Sequence, residues 1–328
     1  MKRYDRQIKA SVFGEQGQKQ LSHAKFLIVG AGALGSTICE MLARSGAGEL
    51  IVCDMDIVSL SNLHRQSLYD ESDVDAYILK VDAVKQHIAR INSEVVVTPI
   101  PEEITSDNLA QLIKTYQPTI VLDGTDNFVT RYIINDVCHQ LKTPWIYGAC
   151  LSTKGTVFAI DYTAACLRCI LPDPPETGQN CALEGILPQT AHLTASMQVS
   201  EVIKFISDGS FTNQFITFDS YTLKFKSTDA TLFKNTHCRT CGTHDYPSLT
   251  SGPKYVTKMC HGKYSVKLPN GIFTKSYPNI MKSTPYFKLI KHGNVTIHIL
   301  KDGRTIIYNV FSSEEAKAVI KTQFSISI

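Results

Sequence analysis

What this chain lacks narrows its possibilities first. Across 328 residues, no apolar run approaches the ~18–20 residues that a membrane-spanning helix needs. The opening stretch, "MKRYDRQIKASVFG", has no apolar core of the kind a secretory signal carries. Charge of one sign is scarce as well. Lys and Arg number 33 against 30 Asp and Glu, and the net charge of +3 is spread evenly. That is too little for a nucleic-acid or membrane-surface binder. Internal repeats and low-complexity tracts are missing too. The expectation is a cytosolic globular protein, whose 43% apolar content can bury a full core.

The cysteines are not few, but their use is restricted. Ten in a chain this long do not make a disulfide scaffold, which belongs to small secreted domains. Four fall into two C-x-x-C pairs, "CLRC" (Cys166, Cys169) and "CRTC" (Cys238, Cys241). In a reducing compartment such knuckles read as ligands of a structural, tetrahedral Zn²⁺. The gap between the pairs is far longer than in a zinc ribbon, so the metal would staple two distant segments together. Two unrelated pairs of buried thiols are the alternative.

Length favours one sizeable α/β unit plus a small appendage. "KFLIVG" (residues 25–30) predicts a strand, "GAGALG" (residues 30–35) a turn, about 36–45 a helix, and "GELIVCDMD" the next strand. That is a β-α-β unit with a right-handed parallel crossover. Strand and helix patterns alternate through residue 150, which specifies a doubly wound, Rossmann-like, mainly parallel sheet. After residue 150, "KGTVFAID", "QFITFDS" and "YTLKFKST" predict an antiparallel extension, interrupted by the helical stretch "TAHLTASMQVSEVIKFISDG". The composition then shifts. Residues 1–250 are expected to form the main domain and 251–328 a small α+β appendage of open role. Its signals are the strands in "NVTIHILKDGRTIIYNV" and a last helix capped by Ser312 or Ser313.

The motifs lie where an open α/β sheet places its ligands. Gly30, Gly32 and Gly35 allow a tight turn, a close approach of backbone to phosphate, and a helix N-terminus aimed at the anion. An acidic residue about 20 positions on is expected to hold ribose hydroxyls; Asp54 stands there, with Asp56 as rival. The following loop carries Asn62, Arg65 and Gln66. A hydride-transfer enzyme leaves its pyrophosphate uncleaved, whereas a fork of donors here suits a reaction that builds charge on a departing pyrophosphate. A solvated surface loop is the bland alternative. "VLDGTDN" ends a strand with Asp123, read as structural, and Asp126, read as a Mg²⁺ ligand or a helix cap. Cys181 lies in a Gly/Pro/Asn-bearing stretch, as either a nucleophile or sulfur carrier or an inert thiol.

In this order, "RYDRQI", "GAGALG", "DMDIVSLSNLHRQ", "DGTDN", "PWIYGA", "CLRC", "NCALEGI" and "CRTC" resemble the ThiF/MoeB/HesA adenylyltransferases, bacterial relatives of ubiquitin-activating enzymes. The likeness runs from Arg3 to about Leu249, and a weaker one through the tail resembles thiamin-type members. The resemblance implies ATP-dependent adenylylation of the Gly-Gly terminus of a ubiquitin-like sulfur carrier, of ThiS or MoaD type, ahead of thiocarboxylate formation. It implies that Asp54 holds ribose, that Asn62, Arg65 and Gln66 face the phosphates, and that Asp126 binds Mg²⁺. Arg6 would reach the neighbouring subunit's ATP, which implies a homodimer. The four knuckle cysteines match the family's zinc ligands, and Cys181 matches a cysteine implicated in acyl or persulfide transfer. One departure concerns the phosphate-neutralising lysine. Lys80 fits by its "KVxxA" context but lacks the usual preceding proline, and Lys85 is the fallback. No persulfide-forming domain is evident in the tail, so sulfur is expected from a separate donor such as a cysteine desulfurase. Two other classes stay in view: an NAD-dependent oxidoreductase, and a non-catalytic module that only docks a ubiquitin-like protein.

Overall fold

The computed structural model describes residues 2–173, 185–249, 256–259, 263–269, 271–301 and 303–326. The chain divides into two compact units, residues 1–251 and 252–328.

In the first unit the strands are β1 (Lys25–Val29), β2 (Glu49–Cys53), β3 (Val96–Ile100), β4 (Ile120–Asp123), β5 (Trp145–Leu151), β6 (Lys154–Ile160), β7 (Gln214–Asp219) and β8 (Lys224–Asp229). Its helices are α1 (Asp5–Ile8), α2 (Gly14–His23), α3 (Ala33–Ser45), α4 (Glu71–Asp75), α5 (Lys80–Ile91), α6 (Ser106–Tyr116), α7 (Phe128–Gln140), α8 (Leu167–Ile170) and α9 (Pro188–Asp208). One sheet contains all eight strands in the order β3-β2-β1-β4-β5-β6-β7-β8. Pairing is parallel from β3 to β5 and antiparallel from β5 to β8. The three antiparallel strands expected after residue 150 thus extend the same sheet.

The central strands read as continuous apolar runs because both of their faces are covered. Leu27, Val29, Ile51 and Val121 pack with Leu109 and Ile113 of α6 and with Ile134 and Val137 of α7. Phe26, Ile28, Leu50 and Val52 point the other way and are equally buried. On that side α3 lies against β1 and α5 against β3, while α9 packs on α3, β5 and β6. Helix α3 begins at Ala33, directly after Gly32, rather than near residue 36 as the sequence suggested. It stops at Gly46, whose φ of +85° makes the left-handed cap that glycine adopts without strain. The chain moves outward through β2 and β3 on one side of β1 and through β4 and β5 on the other. The topological switch point, where open α/β sheets bind ligands, therefore lies between the carboxyl ends of β1 and β4.

Far along the sequence, the two cysteine pairs meet. Cys166 and Cys238 sulfurs lie 3.6 Å apart, Cys169 and Cys241 3.3 Å, and Cys166 and Cys169 3.9 Å. All four lie within 4.8 Å of one another. A tetrahedron with Zn–S bonds of about 2.3 Å has S–S edges of about 3.8 Å, so the donor set fits a closed structural Zn²⁺. The surrounding shell is anchored to α7. Asp136 accepts from the Arg168 guanidinium at 3.3 Å, from the Ser248 N–H at 3.0 Å and from the Thr240 hydroxyl. Asn135 accepts from the Leu167 N–H at 3.0 Å, and Arg168 lies over the Tyr132 ring, 4.3 Å from its centroid. The staple joins the segment after β6 to the segment after β8.

The second unit is a six-stranded antiparallel sheet, β11-β12-β13-β14-β10-β9, closed on one face by a helix. Its elements are β9 (Val256–Met259), β10 (Lys263–Lys267), β11 (Ile280–Ser283), β12 (Phe287–His292), β13 (Val295–Leu300), β14 (Arg304–Tyr308) and α10 (Ser313–Phe324). Ala316, Ile320 and Phe324 of α10 pack on Tyr264, Val266, Ile297, Ile299 and Ile307. Ser312 is the cap: its side chain accepts from the Glu315 N–H at 3.0 Å.

The metal expectation can be measured directly. The purified chain should carry one zinc per protomer, and Cys169→Ser should lower zinc content and thermal midpoint together. Because the staple fastens segments outside the parallel half, the loss should leave the β1–β5 core folded. Full stability in metal-free protein would contradict this.

Candidate functional site

The site begins with three glycines in close approach. Gly30 has φ +91°, and a Cβ there would stand 2.7 Å from the Gly124 carbonyl oxygen. A Cβ on Gly35 would lie 1.8 Å from the Gly30 oxygen, which no adjustment of rotamers relieves. A Cβ on Gly124 would meet the same oxygen at 2.6 Å. Gly32 differs: the nearest atoms to its Cβ direction are the Gln66 Nε2 and the Gly124 oxygen, both at 3.9 Å. Among the described residues, no atom crowds a Cβ at position 32. The open cradle above it is what a phosphate approaching the N-terminus of α3 would use.

Around the cradle stand the residues expected from the sequence. The Ala31 N–H donates to Asp54 Oδ2 at 2.8 Å, and the Asp56 N–H donates to Asp54 Oδ1 at 2.8 Å. Asp54 is thereby fixed at the end of β2 with its remaining lone pairs available. Burial pushes its carboxyl above the usual carboxylate range, opposed by the neighbouring Lys80 and by these two N–H groups. A one-turn helix, Leu60–Asn62, turns the next loop inward. Asn62 and Gln66 are buried, and the side-chain oxygen of each has no hydrogen-bond partner. An orphaned buried polar atom costs about 1–3 kcal/mol, a penalty that a polar ligand at this position would remove. Rotating either amide by half a turn exchanges the acceptor for an NH₂ donor, which is what phosphate oxygens require. Arg65 is half-buried, and its guanidinium donates to the Ser61 carbonyl at 2.8 Å.

Lys80, not Lys85, faces this group. Lys85 is exposed on α5. Lys80 is 5% exposed, its ammonium 3.0 Å from Asp56 Oδ2. A short antiparallel zipper places it there despite the missing proline: Val58 N–H bonds Ile78, Ile57 bridges Leu79, and Lys80 N–H bonds Asp56. Burial alone would lower the ammonium's pKa. Asp54 and Asp56 outweigh it and hold Lys80 above its usual value, with Asp126 adding to them. Asp56, the rival for the ribose, is thus the residue that grips the lysine.

At the end of β4 the two acids separate. Asp123 is fully buried, pairs with Arg131 at 3.1 Å and accepts from the Thr125 N–H at 2.9 Å. It is structural, as expected. Arg131 also donates to the Thr125 and Gly148 carbonyls, tying β4 to β5; no sequence pattern pointed to it. Asp126 is exposed at the rim, within electrostatic reach of Lys80. The helix-cap alternative for Asp126 fails: Asn127 caps α7, its side chain accepting from the Thr130 N–H at 2.9 Å.

One expected residue, Arg6, is not brought to the cradle. Arg6 is exposed on α1, whose neighbour Gln7 bonds the Ser45 carbonyl at the far end of α3. Thirteen helical residues at about 1.5 Å each put it roughly 20 Å from its own chain's glycine loop. Cys181 lies outside the described residues. No described helix is long and apolar enough to cross a membrane.

Known proteins resemble this chain. The ThiF family model matches residues 4–240. Sulfur carrier protein ThiS adenylyltransferase of Bacillus subtilis (strain 168) is 30% identical over 329 residues, with 97% of each chain covered, so the alignment reaches through the second unit. Adenylyltransferase and sulfurtransferase MOCS3 of Culex quinquefasciatus is 38% identical over 253 residues, covering 76% of this chain and 56% of the mosquito protein. The chain therefore spans little more than half of that relative's length. Among solved structures, E. coli MccB with MccA-N7isoASN superposes with a TM-score of 0.63 at 24% identity, covering 73% of this chain and 75% of that one, a likeness of fold. With a family model over most of its length and an end-to-end relative at 30% identity, the chain belongs to the ThiF family.

Proposed function

We propose that this protein uses ATP to adenylylate the C-terminal Gly-Gly carboxylate of a small ubiquitin-like sulfur carrier, of ThiS rather than MoaD type. The observation that carries this reading is the open cradle at Gly32 together with the orphaned amide oxygens of Asn62 and Gln66 and the buried Lys80 paired with Asp56. The end-to-end relative, a ThiS adenylyltransferase by name, supports the choice of carrier.

In the reaction, one carboxylate oxygen of the carrier bonds to the α-phosphorus of ATP. The bond between the α-phosphorus and the α,β-bridging oxygen breaks, and its electron pair stays on that oxygen, which leaves with pyrophosphate. The chain's own groups account for the steps around this exchange. Asp54 accepts from the ribose hydroxyls, and backbone N–H groups after Gly30 receive the phosphates. Asn62, Arg65 and Gln66 donate to the oxygens that gain charge as pyrophosphate departs. Lys80 releases Asp56 in part and shares its charge with the phosphates. The exposed carboxylate of Asp126 would hold Mg²⁺, which when bound neutralises phosphate charge. Arg6 is too distant to serve its own chain and is free to reach a second copy's ATP, so the working unit is a homodimer. Cys181 acts after adenylylation, in passing sulfur from a separate donor such as a cysteine desulfurase to the activated carboxyl.

Carrier-dependent exchange of labelled pyrophosphate into ATP tests the reading, and absence of exchange with ThiS-type and MoaD-type carriers would reject it. Asp126→Ala should lower exchange by about 100-fold or more while zinc content stays at one per chain, since the two metal sites are separate. Gly32→Ala should leave the thermal midpoint nearly unchanged, because a methyl would meet Gln66 and Gly124 only at an uncrowded 3.9 Å, yet weaken ATP binding by about tenfold or more by filling the cradle. Cys181→Ala should keep full exchange and lose thiocarboxylate formation, read by mass spectrometry of the carrier. Loss of exchange in folded Cys181→Ala would place the cysteine in the first step instead.

A further inference from the structure

We infer that Tyr69 is a positioning residue for nucleotide binding: it locks the peptide between Ala31 and Gly32 so that the Gly32 N–H faces the phosphate cradle. This rests on the proposed ATP site and adds to it a residue that no motif in the chain indicated.

Ala31 is fully buried, and both of its backbone polar groups are held by side chains. Its N–H donates to Asp54 at 2.8 Å, and its carbonyl accepts from the Tyr69 hydroxyl at 2.7 Å. A trans peptide is planar, with C=O and the following N–H pointing oppositely. Fixing the Ala31 carbonyl toward Tyr69 therefore fixes the Gly32 N–H away from it. That N–H meets no protein acceptor among the described residues. Glycine at 32 also leaves its flanking peptides more conformational freedom than any other residue would, so an external lock matters most here.

Tyr69 is well placed to act as that lock. It is 6% exposed, and its own N–H bonds the Gln66 carbonyl at 3.2 Å. The ring thus links the amide-bearing loop to the glycine loop through a single side chain. Burial and the nearby Asp54 hold its hydroxyl well above the ordinary phenol range, so it stays a donor at any working pH. With Asp54 on one side and Tyr69 on the other, ribose acid, glycine loop and amide loop share one hydrogen-bonded frame.

Tyr69→Phe removes one oxygen and keeps the ring. In the full chain, binding of the non-hydrolysable α,β-methylene analogue of ATP, measured by calorimetry without carrier, should weaken about 3–10-fold, the worth of one buried hydrogen bond. In the exchange assay the KM for ATP should rise by a similar factor while the KM for the carrier is unchanged. Tyr277→Phe serves as control, since it deletes a comparable hydroxyl-to-carbonyl bond (to Ile272) in the second unit and should leave nucleotide affinity untouched. Unchanged analogue affinity in Tyr69→Phe, or an equal loss in the control, would overturn the inference. Tight analogue binding by the unaltered chain with no exchange for any carrier would reject the proposed reaction while leaving the role of Tyr69 testable.

Discussion

Gly30, Gly35 and Gly124 bring three stretches of backbone closer than any side chain would permit, and the rest of the site takes its position from that contact. Because the glycine loop touches the turn after β4, α3 can start immediately at Ala33 and point its free N–H groups over the switch point. The same contact sets the depth of the cradle at Gly32. Two hydrogen bonds to Ala31 then hold the loop against β2 and the amide-bearing loop. The site is thus built on backbone, with side chains added around it.

Charge is the second constraint. Lys80 is buried near Asp54, Asp56 and Asp126, one cation against three carboxylates. Such an arrangement keeps the lysine protonated where burial alone would strip it, and it leaves a negative surplus at the rim. A triphosphate would be repelled by that surplus unless a divalent cation came with it or further donors faced it. Arg65, Asn62 and Gln66 stand on the side where such donors are needed. Arg6 would add a cation from a second subunit in the proposed homodimer.

The cysteine cluster serves a different end of the molecule's economy. Its ligands follow β6 and β8, and its hydrogen-bonded shell runs through Asp136 and Arg168 to α7. The antiparallel extension has one exposed edge, β8, and little core of its own beyond β6. A metal held by these four thiols would fasten segments that the parallel half does not hold. Helix α7 connects the two ends, starting beside Asp126 and ending beneath the staple.

Much of this was legible in the residues. The alternation of strand and helix patterns pointed to a doubly wound sheet, whose two helix layers cover both faces of strands such as "FLIV". The glycine spacing pointed to a phosphate-sized turn, and the two C-x-x-C pairs to a cluster of four thiols, because these chemistries require fixed local geometry. The second unit was less readable: lysines interrupt the apolar pattern of β10 (Lys263, Lys267), β11 (Lys282) and β12 (Lys288, Lys291), so their period-two signal is weak. Other questions only the tertiary structure decided. Lys80 rather than Lys85, Asp56 as its partner, Asn127 rather than Asp126 as the cap of α7, and Arg131 and Tyr69 as braces all depend on contacts between distant segments. A sequence records which side chains are available near a turn; which of them face one another is set by how the strands and helices pack.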